Sequence, residues 1–380
     1  MAFFVDDEPK RGGEGIIQAK EQAADGTTRD SAWPVRTYRL AGRRISHMFK
    51  PDIPIREKVP FDLQRRIMAH LTVDSWDNIP HAGLVMDLDV TAVLTFIDRL
   101  RGHPDFEGVR VTLNSVLLKI IAECLKRSPA LNAHVDYSKS ADFGSVTVFD
   151  EIHIATPFLL EDGRTITTVL KDVGNKSLRD VCLGMEDLRR RVGNTNVDYV
   201  MYEAAVRDTI DRLKRLKLGV LRRIRRNFIG RTKIARPGRR ALREYRKIPE
   251  SDRITVDDLI SATILVSNIG SVMKELRAHI ALLEVIPPQV LVIGLCAARK
   301  QPLVMTDEDG NDSIEIRWTI PMSVYADHRA VDFARAVGFL KEMVALCTNP
   351  ERLVGGARLP ERARSEAPEP LAPVPVGALL

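Results

Sequence analysis

Two hydrophobic periods meet in one short stretch of this chain, and few architectures accommodate the junction. Ser313 to Ile320 places Ile314, Ile316, Trp318 and Ile320 at every second position, the pattern of a strand with one buried face. From Phe333 the spacing changes to threes and fours through Ala336, Val337, Leu340, Met343, Val344 and Cys347, which predicts a helix with one buried face. A strand feeding a helix, both anchored in a core, belongs to an α/β arrangement. Between them lies Asp327-His328-Arg329-Ala330-Val331-Asp332. Such a junction can hold an imidazole rigidly enough to serve as a general base. Taken alone the pattern is open, because a His near an Asp is more often structural and Asp332 can simply cap the helix N-terminus.

A second junction has the same character. Ile264-Leu265-Val266 is an apolar strand that runs into Ser267-Asn268-Ile269-Gly270-Ser271, a small polar turn. Ser267 can donate to a developing oxyanion or cap the turn with Asn268. Other blocks stand in a fixed order: Arg65-Arg66-Ile67-Met68, Ile79-Pro80-His81 and Met86-Asp87-Leu88-Asp89-Val90-Thr91 between Pro60 and Val93; Pro129-Ala130-Leu131-Asn132-Ala133 after a long apolar period from Val111; Ala155-Thr156-Pro157 and Thr168-Val169-Leu170-Lys171-Asp172; and Pro287-Pro288 before Gln289 to Gly294. Together these blocks, from about Lys58 to Val354, resemble the catalytic domain of the 2-oxo acid dehydrogenase dihydrolipoamide acyltransferases, whose fold is shared with chloramphenicol acetyltransferase.

The resemblance implies an α/β two-layer sandwich, a mixed sheet flanked by helices. It implies that His328 deprotonates CoA or a dihydrolipoyl thiol, and that Ser267 donates to the tetrahedral oxyanion. Asp332 would hold the loop through a charged hydrogen bond, with Asp327 and Arg329 as its ion-pair scaffold. Asn268 and Phe333 would line the substrate channel. It further implies a homotrimer with active sites between subunits, His from one chain and Ser from its neighbour. Coenzyme A is then a substrate, with no covalently bound cofactor. No lipoyl-type lysine is legible, so a lipoyl group would come in trans on another protein. Two departures stand out: Phe333 where the family has Gly after the motif acid, and Val272-Met273 where it often has a further Gly. A phenyl ring at 333 either repacks into the core or narrows the channel. The contrasting reading is a non-catalytic relative acting as a scaffold or membrane-surface protein.

Composition removes the commoner alternatives. The 44% hydrophobic content is ample for a sizeable core, and no uninterrupted run of apolar residues is long enough to span a bilayer. Ala281 to Ala298, the nearest candidate, carries Glu284 and two prolines and reads as a turn and a buried strand. Met1 to Glu8 lacks the basic and apolar regions of a secretory signal. Cys124, Cys182, Cys296 and Cys347 stand apart in apolar surroundings, which predicts reduced core thiols and a cytoplasmic location. The eight histidines show no metal spacing, so no metal is expected; neither a phosphate-binding Gly loop nor GxSxG occurs.

Residues 1–34 and 357–380 read as disordered ends, leaving a catalytic domain over 35–356 with a basic insertion at about 201–251. Helices are expected over Ala92–Leu100, Val111–Lys126 and a stretch through Leu178, Val181, Met185 and Leu188, with strands near Ser145–Phe149 and Ile152–Leu159. Arg212 to Lys247 holds 16 Lys or Arg and one acid, Glu244. That is +15 in a chain of net +6, so the remainder carries −9. Leucines at spacings of two and three after Ile210 suggest an amphipathic helix, which Gly219 weakens by roughly 1 kcal/mol. The segment is either a solvated arm or a site for an anionic partner, with an anionic membrane surface ahead of CoA phosphates. Nucleic acid is disfavoured, because only Phe228 and Tyr245 could stack on bases.

Overall fold

The computed structural model describes residues 19–22, 28–31, 56–57, 59, 61–214, 238–275 and 277–354. It divides into two compact units, residues 1–60 and 61–380. In the first unit, β1 (Ala19–Gln22) pairs antiparallel with β2 (Thr28–Ser31), within the stretch expected to be disordered. The expected disordered tail at 357–380 lies outside the described residues.

The second unit carries the remaining elements. They begin with α1 (Leu63–Asn78), β3 (His81–Asp89), α2 (Thr91–Arg101) and α3 (Leu113–Arg127). Two hairpins follow, β4 (Ala133–Ser138) with β5 (Phe143–Val148) and β6 (Ile154–Leu159) with β7 (Thr165–Leu170). Then come α4 (Leu178–Gly193), α5 (Val197–Lys214), α6 (Arg239–Tyr245) and the single turn α7 (Asp257–Ile260). The chain continues through β8 (Ile264–Asn268), β9 (Leu291–Leu295), β10 (Arg299–Thr306), β11 (Asp312–Asp327) and α8 (Phe333–Thr348). Helix starts are written locally. Thr112 and Ser115 form a reciprocal capping box at α3, and the Ser177 hydroxyl accepts from the Asp180 N–H at α4.

Seven strands form one mixed sheet in the order β10-β11-β9-β8-β6-β7, with β3 also paired to β11. Strand β8 runs parallel to β6 and β9; the other pairs are antiparallel. The organising element is β11. Its first half pairs with β10, and its second half lies between β3 and β9. From Thr319 to Asp327 it is buried on both faces, so its apolar alternation ends there and the strand runs well past the expected Ile320.

Pro321 in the middle of such a strand looks forbidding, because it has no N–H for the ladder. The defect is absorbed by a bulge. Leu295 faces Met322 and Arg299 faces Thr319, so the β9–β10 strand carries one extra residue there. Pro321 O accepts from Cys296 N–H at 3.0 Å at this bulge, where the ladder is already broken.

One face of the sheet is covered by α2, α3, α4 and α8, whose apolar residues form the main core with Val266, Ile293, Ile320 and Met322. The other face is covered by the loop before β9, pinned where Ser323 Oγ donates to Ile280 O at 2.7 Å and Tyr325 Oη donates to Ala281 O. Two expectations shift. Helix α8 buries Ala336, Phe339, Met343, Leu346 and Cys347, while Val337 and Val344 face outward, because its contact with α3 favours the stripe holding Phe339. Ile314 and Ile316, expected in the core, are 77% and 73% exposed, because the β10–β11 ribbon projects beyond the helical layer. All four cysteines are free and buried, and burial pushes the Cys347 thiol up to about 12.

Gly270, just after β8, has no room for a side chain: a Cβ there would sit 2.3 Å from Cys296 O at the bulge. Since backbone cannot yield as a flexible side chain does, Gly270→Ala is expected to destabilise the protein by about 1–3 kcal/mol, read as a lowered urea midpoint.

Candidate active site

The Asp327–Asp332 loop is built around a buried charge. Asp327 ends β11 and is 1% exposed. Its carboxylate accepts from Arg329 N–H at 2.9 Å and from Arg329 Nε and Nη2 at 2.9 and 2.6 Å. This bidentate pair raises the Arg329 pKa above its ordinary value, chiefly through the hydrogen bonds, against an opposing effect of burial. The guanidinium also lies 5.6 Å from the Tyr137 ring centroid, so the β4–β5 hairpin braces the loop.

His328 is held from two sides. Its backbone N–H donates to Pro80 O at 2.9 Å, and its Nδ1 lies 3.0 Å from Val331 O. A carbonyl can only accept, so Nδ1 carries the hydrogen and Nε2 of the neutral ring keeps its lone pair. The side chain is exposed in the single chain. Asp332 occupies the N-cap position of α8 with extended backbone, yet its side chain makes no capping bond. The charged bond that restrains this loop is therefore that of Asp327, not of Asp332. Phe333 opens α8, and its side chain lies outside the described residues.

Ser267 and Asn268 end β8. Asn268 Nδ2 donates to Asn114 Oδ1 at 2.8 Å, so this amide, expected to face substrate, is engaged with α3. Ser267 lies opposite Gly294 on β9, which lies opposite Ser323 on β11. His328 stands five residues beyond Ser323 and two strands from β8. At about 3.3 Å per residue and 4.8 Å per strand, its Cα is roughly 19 Å from that of Ser267. The structure does not bring His328 and Ser267 of one chain together.

The ends of the basic insertion meet on the domain. The Tyr199 and Tyr245 rings are 5.1 Å apart, and the Arg253 guanidinium lies 5.0 Å from the Tyr245 centroid. Burial alone would raise the Asp258 carboxyl, but hydrogen bonds from Thr255 and the charge of Arg191 hold it below the usual carboxylate range. The expected helix after Ile210 is described only as the end of α5, and residues 215–237 lie outside the described residues. Among the described residues no cluster of His, Cys, Asp or Glu could hold a metal, and no helix is long and apolar enough to cross a membrane. Sequence reasoning missed Asn114 and Tyr137. Neither belongs to a period or motif that singles it out; only the fold brings them to these loops.

The mixed sheet and its helical layer have the α/β fold of a dihydrolipoamide acetyltransferase catalytic core. The chain belongs to the family of 2-oxoacid dehydrogenases acyltransferase (catalytic domain), whose sequence model matches residues 54–199 and 239–355 and breaks at the basic insertion. It is 23% identical over 338 residues to the dihydrolipoyllysine-residue acetyltransferase component of the pyruvate dehydrogenase complex of Zymomonas mobilis, covering 88% of this chain and 59% of that protein. It is 25% identical over 248 residues to the dihydrolipoyllysine-residue succinyltransferase component of the 2-oxoglutarate dehydrogenase complex of Escherichia coli, covering 65% and 43%. The chain thus spans less than two thirds of the length of these relatives. Among solved structures it resembles the dihydrolipoamide acetyltransferase of Azotobacter vinelandii, with a TM-score of 0.53, 21% identity, and coverage of 80% of this chain and 100% of that one.

The buried ion pair sets a clear order of mutational effects. Arg329→Ala strands the Asp327 carboxylate and is expected to cost about 3 kcal/mol. Asp327→Asn leaves a cation that can reach water and should cost about 1–2 kcal/mol. Chemical denaturation of the two variants checks the order.

Proposed function

We propose that this protein is an acyltransferase that moves an acyl group between CoA and a carrier thiol of the dihydrolipoyl type, or another small acceptor, with His328 as general base. The observation that carries the reading is the fixed Nδ1–H bond to Val331 O, which leaves Nε2 ready to accept a proton at an exposed strand end. His328 Nε2 takes the thiol proton, and the thiolate attacks the thioester carbonyl. The Ser267 hydroxyl donates to the resulting oxyanion, worth on the order of 3 kcal/mol. Collapse breaks the old C–S bond, and the departing thiolate recovers the proton from the His328 imidazolium.

Since one chain separates the two groups, we infer that the working site lies between chains, His328 from one and Ser267 from its neighbour, in a homotrimer. The apolar face of the projecting ribbon supports such assembly: Val304, Ile314 and Ile316 are all more than 60% exposed. Asp332 and Phe333 would line the channel entrance. A lipoyl-bearing protein would present its thiol in trans.

We also infer a cytoplasmic protein whose segment Arg212 to Lys247 directs it to anionic membrane surfaces. Each cation there contributes about 1 kcal/mol near such a surface, falling off within a Debye length. The Tyr199–Tyr245 contact, made by residues outside 215–237, supports replacing those residues without disturbing the domain.

In thiol-release assays with acyl-CoA, His328→Ala should lower turnover about 10²–10⁴-fold. His328→Ala and Ser267→Ala chains, each nearly inactive alone, should recover about a quarter of the parent activity when co-assembled at random, because a cyclic trimer then restores one interface in four. No recovery in mixed trimers sinks the shared site. Turnover equal to the parent in His328→Ala sinks the general-base assignment, whereas a parent protein without turnover leaves the scaffold reading. For the second inference, the full protein should pellet with phosphatidylserine vesicles at low salt and release at high salt, and replacing residues 215–237 by a Gly-Ser linker should abolish binding. A protein that ignores such vesicles at low salt is not surface-directed.

A further inference from the structure

Ser267 and Asn268 leave β8 on opposite faces of the sheet, as neighbouring strand residues must. Val266, on the Asn268 side, lies in the core under the helices, whereas Leu265, on the Ser267 side, packs with Val285, Val292 and Tyr325. Asn268 therefore points toward α3 and Ser267 toward the opposite face. The Asn268 amide meets Asn114, the second residue of α3, at 2.8 Å across 154 residues of sequence. Its Oδ1 is buried without a hydrogen-bond partner. One bond thus fixes which way this amide faces.

We propose that Asn114 is a positioning residue of the acyl-transfer site, acting through Asn268 on Ser267. The inference rests on the acyl-transfer reading above. Three restraints converge on this strand end. Ser267 and Asn268 pair with Gly294 and Leu295, and Gly270 abuts the Cys296 carbonyl. The Asn114–Asn268 bond is the third, and the only one of them made by side chains. Without it the half-buried Asn268 amide has both ends unsatisfied and must turn to find partners, carrying the adjoining peptide with it. A hydroxyl aimed at an oxyanion tolerates such a shift poorly, because its effect depends on placement before the reaction begins. Asn114 itself is rigidly held: it sits within the Thr112–Ser115 capping box.

The test is a double-mutant cycle on the full-length protein, assayed by acyl transfer to CoA. Asn114→Ala is expected to lower kcat about tenfold while KM for CoA stays within about twofold. In the Ser267→Ala background the same change should lower kcat less than about twofold further, since the group it positions is gone. Asn114→Asp keeps an acceptor in place, at a helix start where negative charge is tolerated, and should retain at least about half the parent kcat. If Asn114→Ala does not fold, Asn114→Leu, close in volume, replaces it in both backgrounds. Equal losses with and without Ser267, or an Asp variant as impaired as the Ala variant, overturn the positioning role. Unchanged kcat in Asn114→Ala overturns it as well, with the acyl-transfer reading intact. A parent protein that transfers no acyl group overturns that reading, and the inference with it.

Discussion

A carboxylate that is 99% buried stays in a protein interior only when its charge is answered, and Asp327 is answered by a single arginine two residues away. The pair closes a tight loop at the end of the longest strand, so the direction in which β11 leaves the sheet is fixed electrostatically. The placement of His328, the start of α8 and the contact with the β4–β5 hairpin all follow from that turn. Burial makes the arrangement stringent, because a partly satisfied charge at the end of a central strand is worse than none.

The same strand is where sequence and structure part company. The alternation through Ile314, Ile316, Trp318 and Ile320 identified a strand correctly, and the three-and-four spacing after Phe333 identified α8. Periodicity cannot say which apolar face finds a partner, so the outward face of the ribbon and the rotated face of α8 were not legible. Nor could it carry the strand through Pro321, since only tertiary pairing reveals that the missing N–H meets a bulge. The polar junctions at His328 and Ser267 were legible as local patterns. Their separation within one chain was implied only by the family resemblance and not by the local patterns, because it depends on strand order, a property no single segment contains. Asn114 was hidden for a similar reason. Its significance comes from a residue 154 positions away, brought near by the packing of α3 on β8.

The basic insertion shows the converse. Its charge is the plainest feature of the sequence, while its attachment is visible only in three dimensions. Tyr199 and Tyr245 meet, Arg253 lies over the Tyr245 ring, and Arg191 pairs with Asp258 and donates to Arg253 O. Family similarity stops and resumes at nearly the same points. The described ends of the insertion are thus anchored on the domain itself, and the family pattern continues on both sides of them.

Half-sites at opposite ends of one sheet also change how such a protein responds to its own abundance. An enzyme complete within one chain gives activity proportional to the number of molecules made. Under the shared site proposed above, a chain with the base at one end and the oxyanion donor at the other would yield output by mass action, rising more steeply than linearly until assembly saturates. Small differences in synthesis or turnover would then act as a threshold, set by the affinity of one copy for the next and not by any residue of the catalytic loop.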